Sequence, residues 1–122
     1  MDREGLAELF GQFGPVSVRR MFGGAGIWAE GMMFGLIVDD VIYLKADDQI
    51  IPEFERERMG PFVYATKNGS RSLRSYWRMP DRLYDDPDAL ANWARRSVAA
   101  AHRAAVSRRR PVSRRRKRPT RA

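Results

Sequence analysis

Gly24-Ala25-Gly26-Ile27-Trp28-Ala29 fits the loose pattern G-x-G-x-x-A, the spacing with which a backbone can approach a pyrophosphate. That chemistry requires the glycines to follow a strand and open a helix, whose first amides then hold the anion. Here they run into β-rich, alternating sequence with a turn at Glu30-Gly31, and no P-loop Lys-Ser/Thr follows. The glycines are therefore read as strand residues that bend the chain or leave room for a bulky side chain or a close helix. No cofactor is expected.

The other residues able to do chemistry are sparse. His102 is the only histidine, and a general base needs an oriented partner that the sequence around it does not supply. There is no cysteine, which excludes a thiolate metal site and a disulfide framework and fits a reducing, cytoplasmic setting. The acid pairs Asp39-Asp40, Asp47-Asp48 and Asp85-Asp86 could serve acid–base or calcium chemistry. Each sits at an expected turn or helix start, where aspartate serves the backbone. Ser72 and Ser75 lack a nucleophile elbow. No catalytic or metal-binding residue is assigned. In Ser72–Met79, Arg74, Tyr76 and Arg78 alternate with Leu73, Ser75, Trp77 and Met79. Arginine beside an aromatic can hold phosphate or stack on a base, but arginine stems covering a tyrosine on a solvated sheet face explain it better.

Charge divides the chain. Of the 23 basic and 15 acidic residues, nine basic and no acidic ones fall in residues 107–122, which leaves 14 against 15 in residues 1–106. The basic nine are Arg108, Arg109, Arg110, Arg114, Arg115, Arg116, Lys117, Arg118 and Arg121. Packing does not account for such a run. Its chemistry is nonspecific contact with nucleic acid by counterion release. The expected organisation is a domain over residues 1–106 and a disordered or frayed basic tail over residues 107–122. No apolar run approaches the length of a membrane span, and the first residues do not read as a signal peptide.

The elements that must position these groups follow from periodicity. Leu6, Leu9, Phe10 and Phe13 form a helical stripe, with Asp2 as cap and Gly14-Pro15 as stop, so a helix is predicted over about residues 3–13. VSVRRMF is a strand, and IWAEGMMFGLIVDDVIYLKA reads as three strands turning at Glu30-Gly31 and Asp39-Asp40. A short helix over about Gln49–Arg58, capped by Asp48, precedes two strands joined at Asn68-Gly69. Asp86-Pro87 opens a final helix with the stripe Leu90, Trp93, Ala94, Ser97, Val98 and Ala101, fading near Val106.

Strict alternation about the two turns places Gly26 opposite Gly35 and Ile27 opposite Phe34. One side of the sheet then collects Trp28, Met33, Ile37, Ile42 and Leu44, and the other collects Ile27, Phe34, Leu36, Val38, Val41 and Tyr43. Both sides are apolar, which is unusual for an antiparallel sheet with a solvated face. Helices are expected on the first side. The second six are candidate interface residues for a protein partner or a second copy of the chain.

Arg20-Met21-Phe22-Gly23-Gly24-Ala25-Gly26-Ile27, Gly31-Met32-Met33-Phe34-Gly35-Leu36 and Val41-Ile42-Tyr43-Leu44-Lys45 together resemble the N-terminal domain of the TfoX/Sxy family of bacterial competence regulators. Pro61-Phe62-Val63-Tyr64, Tyr76-Trp77-Arg78-Met79-Pro80 and the helix from Asp86-Pro87 to Ala100 continue the resemblance, which covers about residues 3–103. It implies an α+β fold, a curved antiparallel sheet of about six strands with helices packed on it in the order α-β4-α-β2-α, similar to type III secretion chaperones. It also implies regulation of competence or transcription through protein contacts, with no enzyme activity. Full-length members add a module resembling a helix-hairpin-helix, where these 122 residues have the basic run.

Two functions stay open at this level. One is a non-enzymatic adaptor whose sheet recruits a protein, such as transcription machinery or a regulator, or dimerises, and whose tail holds nucleic acid. The other is a small-molecule-binding or enzymatic domain using a cleft between sheet and helices near Arg19, Arg20 and Tyr76.

Overall fold

A computed structural model describes residues 2–21 and 23–109, with the side chain of Arg109 left aside. Helix α1 (Arg3–Leu9) leads into strands β1 (Ser17–Met21), β2 (Gly24–Ala29), β3 (Met32–Val38) and β4 (Val41–Lys45). Helix α2 (Ile51–Arg56), strands β5 (Pro61–Thr66) and β6 (Gly69–Arg78), a 3-10 turn (Asp81–Asp85) and helix α3 (Pro87–Arg109) follow among the described residues. The fold is α+β, as expected: one six-stranded antiparallel sheet in the order β1-β2-β3-β4-β6-β5, with helices against it.

The local causes are those of the sequence, with adjustments. Asp2 accepts a hydrogen bond from the Gly5 amide and caps α1. The helix is shorter than predicted, because the chain tightens through Phe10–Phe13 into Gly14 at φ +129°, a backbone only glycine adopts freely. Both hairpin turns have two residues at positive φ, Glu30 and Gly31, Asp39 and Asp40, the handedness that matches strand twist. At α2 the expected Asp48 cap is not made: the helix follows Ile50 with no side-chain cap, and the Asp47 carboxylate accepts from the Gln49 amide in the turn before it. Asp86 accepts from the Ala89 amide and starts α3 beside Pro87, as predicted. Helix α3 does not fade at Val106 but runs to Arg109.

Helix α3 lies across β3 and β4 and buries its predicted stripe. Leu6, Phe10, Ile27, Phe34, Ile42, Leu44, Phe54, Trp77, Leu90 and Trp93 form the core between the sheet and the helices. Its rings meet edge to face, Phe10 with Phe34 at 5.8 Å and Phe54 with Trp93 at 4.9 Å, the arrangement favoured by the aromatic quadrupole.

Two irregularities overturn the predicted sidedness. In the β2–β3 ladder Ile27 pairs with Gly35 and Trp28 with Met33, so Phe34 is one residue too many on β3, a β-bulge. Gly26 consequently faces Leu36, not Gly35. Across a bulge the alternation shifts by one. Ile27 and Phe34, predicted on the interface side, are 0% exposed under the helices, and that part of the expectation is corrected. Trp28 and Met33 move the other way, beside Gly26 and Met21 on the side away from the helices. Leu36, Val38, Val41 and Tyr43 keep that outward side.

The second irregularity lies in β6. Phe62 pairs with Leu73 and Pro61 with Trp77, so β6 advances by four residues where β5 advances by one. Leu73 therefore shares the outer face with Tyr76, while Trp77 turns into the core and its indole N–H donates to the Arg74 carbonyl at 2.8 Å.

Candidate functional site: an open apolar sheet face

All helices among the described residues pack on one side of the sheet, and the other side is open. Its centre is a groove of about 340 Å³. β1 contributes Met21, β3 contributes Met33, Leu36 and Val38, β5 contributes Phe62 and Tyr64, and β6 contributes Leu73 and Tyr76. Tyr64 and Leu73 are 41% and 37% exposed, and Val63 on the same hairpin is 54% exposed. Beyond Val63 and before Ser75 the β5–β6 hairpin is exposed on both faces, a ribbon reaching past the layered body.

Gly26 makes this face possible in its present packing. A methyl group there would meet the Met33 sulfur at 2.6 Å and the Met21 sulfur and Trp28 indole nitrogen at 3.1 Å. The missing Cβ is the space that these three side chains fill. The Trp28 Nε1 is buried there without a hydrogen-bond partner. The Arg19 guanidinium lies 4.5 Å from the Trp28 ring centroid and the Lys45 ammonium 5.0 Å from that of Tyr76, both in the range of a cation–π contact. Tyr43 meets Phe62 edge to face at 4.9 Å, and Phe62 stacks on Tyr64.

Tyr76 donates its hydroxyl to the Met33 carbonyl at 3.4 Å, and burial pushes its phenol up to about 12. Burial first, then the nearby Arg108 charge, lowers the Lys45 ammonium from its ordinary value.

Charge is sorted across the sheet. The six strands contain Arg19, Arg20, Lys45, Arg71, Arg74 and Arg78 and not one aspartate or glutamate. The described carboxylates sit in helices, in turns and in the segments leading into helices, where several are paired. Arg103 on α3 holds Asp47 through two bonds of 2.7 and 3.0 Å, Arg82 holds Glu57 at 2.7 Å, and Arg96 pairs with Glu53. The Arg103 guanidinium beside Asp47 keeps that carboxyl below the usual carboxylate range.

The cleft of the second reading is real in part. On the helix side, Asp2, Arg3, Arg20, Asp39 and Asp40 ring a space of about 660 Å³ between α1 and the ends of β1–β3. Arg19 and Tyr76, which were expected to converge there, lie on the opposite side of the sheet. The described residues contain no cluster of metal-ligating side chains, and no described helix is long and apolar enough to cross a membrane. His102 faces Glu30 at 3.2 Å on the surface. Gly24 and Gly26 lie within β2 and open no helix.

Of the predicted nucleic-acid residues, Arg108 is exposed on the last turn of α3 and Arg109 ends that helix. Arg110, Arg114, Arg115, Arg116, Lys117, Arg118 and Arg121 lie outside the described residues. What sequence reasoning missed was Met21, Met33, Phe62, Tyr64 and Leu73 as one surface. The signal was present only in the glycines, whose missing side chains leave space on a particular side.

The chain matches the family described as the TfoX N-terminal domain over residues 8–101. Comparison with curated proteins gives no match.

Proposed function

The chain belongs to the TfoX N-terminal domain family, a family of regulatory type, and on that premise we propose that it is a non-enzymatic adaptor that works by docking a protein on the open face of its sheet. The observation that carries this reading is the groove around Leu36: an apolar surface spanning β1, β3, β5 and β6 that no described helix covers. Continuous apolar surface of this kind marks interaction sites in soluble proteins. The basic segment from Arg108 onward adds nonspecific nucleic-acid contact, so that the domain can act where transcription or DNA uptake is regulated.

The test is a pull-down from native lysate, with and without nuclease, using the full chain, a Leu36→Glu variant and a chain lacking residues 110–122. Partners that survive nuclease should be lost by Leu36→Glu and kept by the shortened chain. Material bridged by nucleic acid should show the reverse. A Leu36→Glu protein that folds and keeps every nuclease-resistant partner overturns the assignment of the face.

A further inference from the structure

We infer that the occupant of the open face is an acidic amphipathic helix of a partner protein, held by an apolar floor and a cationic frame. The inference rests on the docking reading above and adds the chemistry of what docks.

The groove crosses strands from four positions in the sheet, so its occupant lies over the face rather than adding to an edge. What packs on sheet faces is a helix with an apolar stripe. The floor of Met21, Met33, Leu36 and Val38 suits a helix whose anchors are leucine-like, because methionine adapts to irregular apolar shapes. The frame selects charge. Arg19 stands on β1, Lys45 and Arg78 in the middle of the sheet, and Arg71 on the outer hairpin, paired in register with Gly26, Tyr76, Tyr43 and Tyr64 respectively. Of these, Arg78 reaches Asp81 at 3.5 Å in the 3-10 turn. No strand residue supplies a carboxylate. A facing helix with glutamates beside its apolar stripe gains complementary potential along its length, and a basic one is repelled.

The same sorting argues against the other occupants. Two copies packed face to face about a twofold axis would oppose one cationic frame to another. The segment 110–122 carries seven cations and no acid, so it is repelled as well. Single-stranded nucleic acid would need free ring faces to stack on. Arg19 covers Trp28, Lys45 covers Tyr76, and Phe62 and Tyr64 are stacked on each other with planes 20° apart.

The experiment uses the full chain and three labelled 18-residue helical peptides with the same leucine stripe and with Glu, Gln or Lys at the polar positions, beside a labelled oligothymidylate. Anisotropy should show the Glu peptide binding at least tenfold tighter than the Lys peptide, with affinity falling as salt rises. The exposed double variant Arg19→Glu/Arg71→Glu should reverse that order, and Leu36→Glu should abolish binding of the Glu peptide. Equal binding of all three peptides, abolished in Leu36→Glu, keeps the docking face but overturns the acidic helix. Binding of no peptide, with nuclease-resistant partners unaffected by Leu36→Glu, overturns both. Oligothymidylate binding abolished in the double variant, or a dimer in sedimentation that Leu36→Glu dissociates, overturns the acidic helix in favour of nucleic acid or of a second copy.

Discussion

A methyl group on Gly24 would press into the carbonyl oxygen of Ile37 on the neighbouring strand, with a Val38 methyl close behind. Backbone cannot step aside as a side chain can, so Gly24→Ala should cost about 1–3 kcal/mol, read as a lowered urea midpoint. Gly26→Ala meets only the flexible ends of Met33 and Met21 and the Trp28 ring. It should cost less than Gly24→Ala while rearranging the outer groove, seen as a change in Trp28 fluorescence. Phe54 shows the ordinary core case: 1% exposed and in ring contact with Trp77 and Trp93, it should lose about 3–5 kcal/mol on Phe54→Ala. These side chains explain why a glycine-rich stretch can mimic a phosphate loop. The physical demand is the same, a backbone that something approaches closely, and here the visitor is another strand and its side chains.

Among the elements, the Asp47–Arg103 pair joins the start of α2 to the last turns of α3. Because the folded Asp47 carboxyl titrates below its ordinary value of 3.8, its contribution is fully present above that value and is lost as the pH falls through the lower folded one. Asp47→Asn should therefore lower stability at neutral pH and flatten the acid limb below about pH 4, measured by urea unfolding across that range. Which elements exist was legible in the sequence: Asp2, Asp86-Pro87 and the Leu90–Ala101 stripe are local signals, and local signals survive folding. Strand sidedness was legible only in part. Alternation about the Asp39-Asp40 turn paired Leu36 with Tyr43 and Ile37 with Ile42, as observed. It failed between Ile27 and Trp28 and again between Leu73 and Trp77, because a bulge has no compositional mark. The 3-10 turn at Asp81–Asp85 was likewise invisible, being held by the Leu83 side chain in the core and by the Ile42 amide donating to the Tyr84 hydroxyl at 3.0 Å.

At the scale of the molecule, residues 1–106 are nearly neutral in charge, whereas residues 107–122 hold nine cations and no acid. Removing residues 110–122 should leave the urea midpoint unchanged and weaken retention on duplex DNA. The slope of log K against log salt should shrink by roughly 0.9 for each phosphate that the shortened chain no longer neutralises, measurable by titration at several salt concentrations. The surplus residue at Phe34 has a reach out of proportion to its size. Losing that one codon would leave both turns and every hydrophobic letter around it in place, yet restore unbroken alternation through β3. The strand would then have to bury what it now displays or display what it now buries, so this domain tolerates a change of identity at that position far better than a change of length.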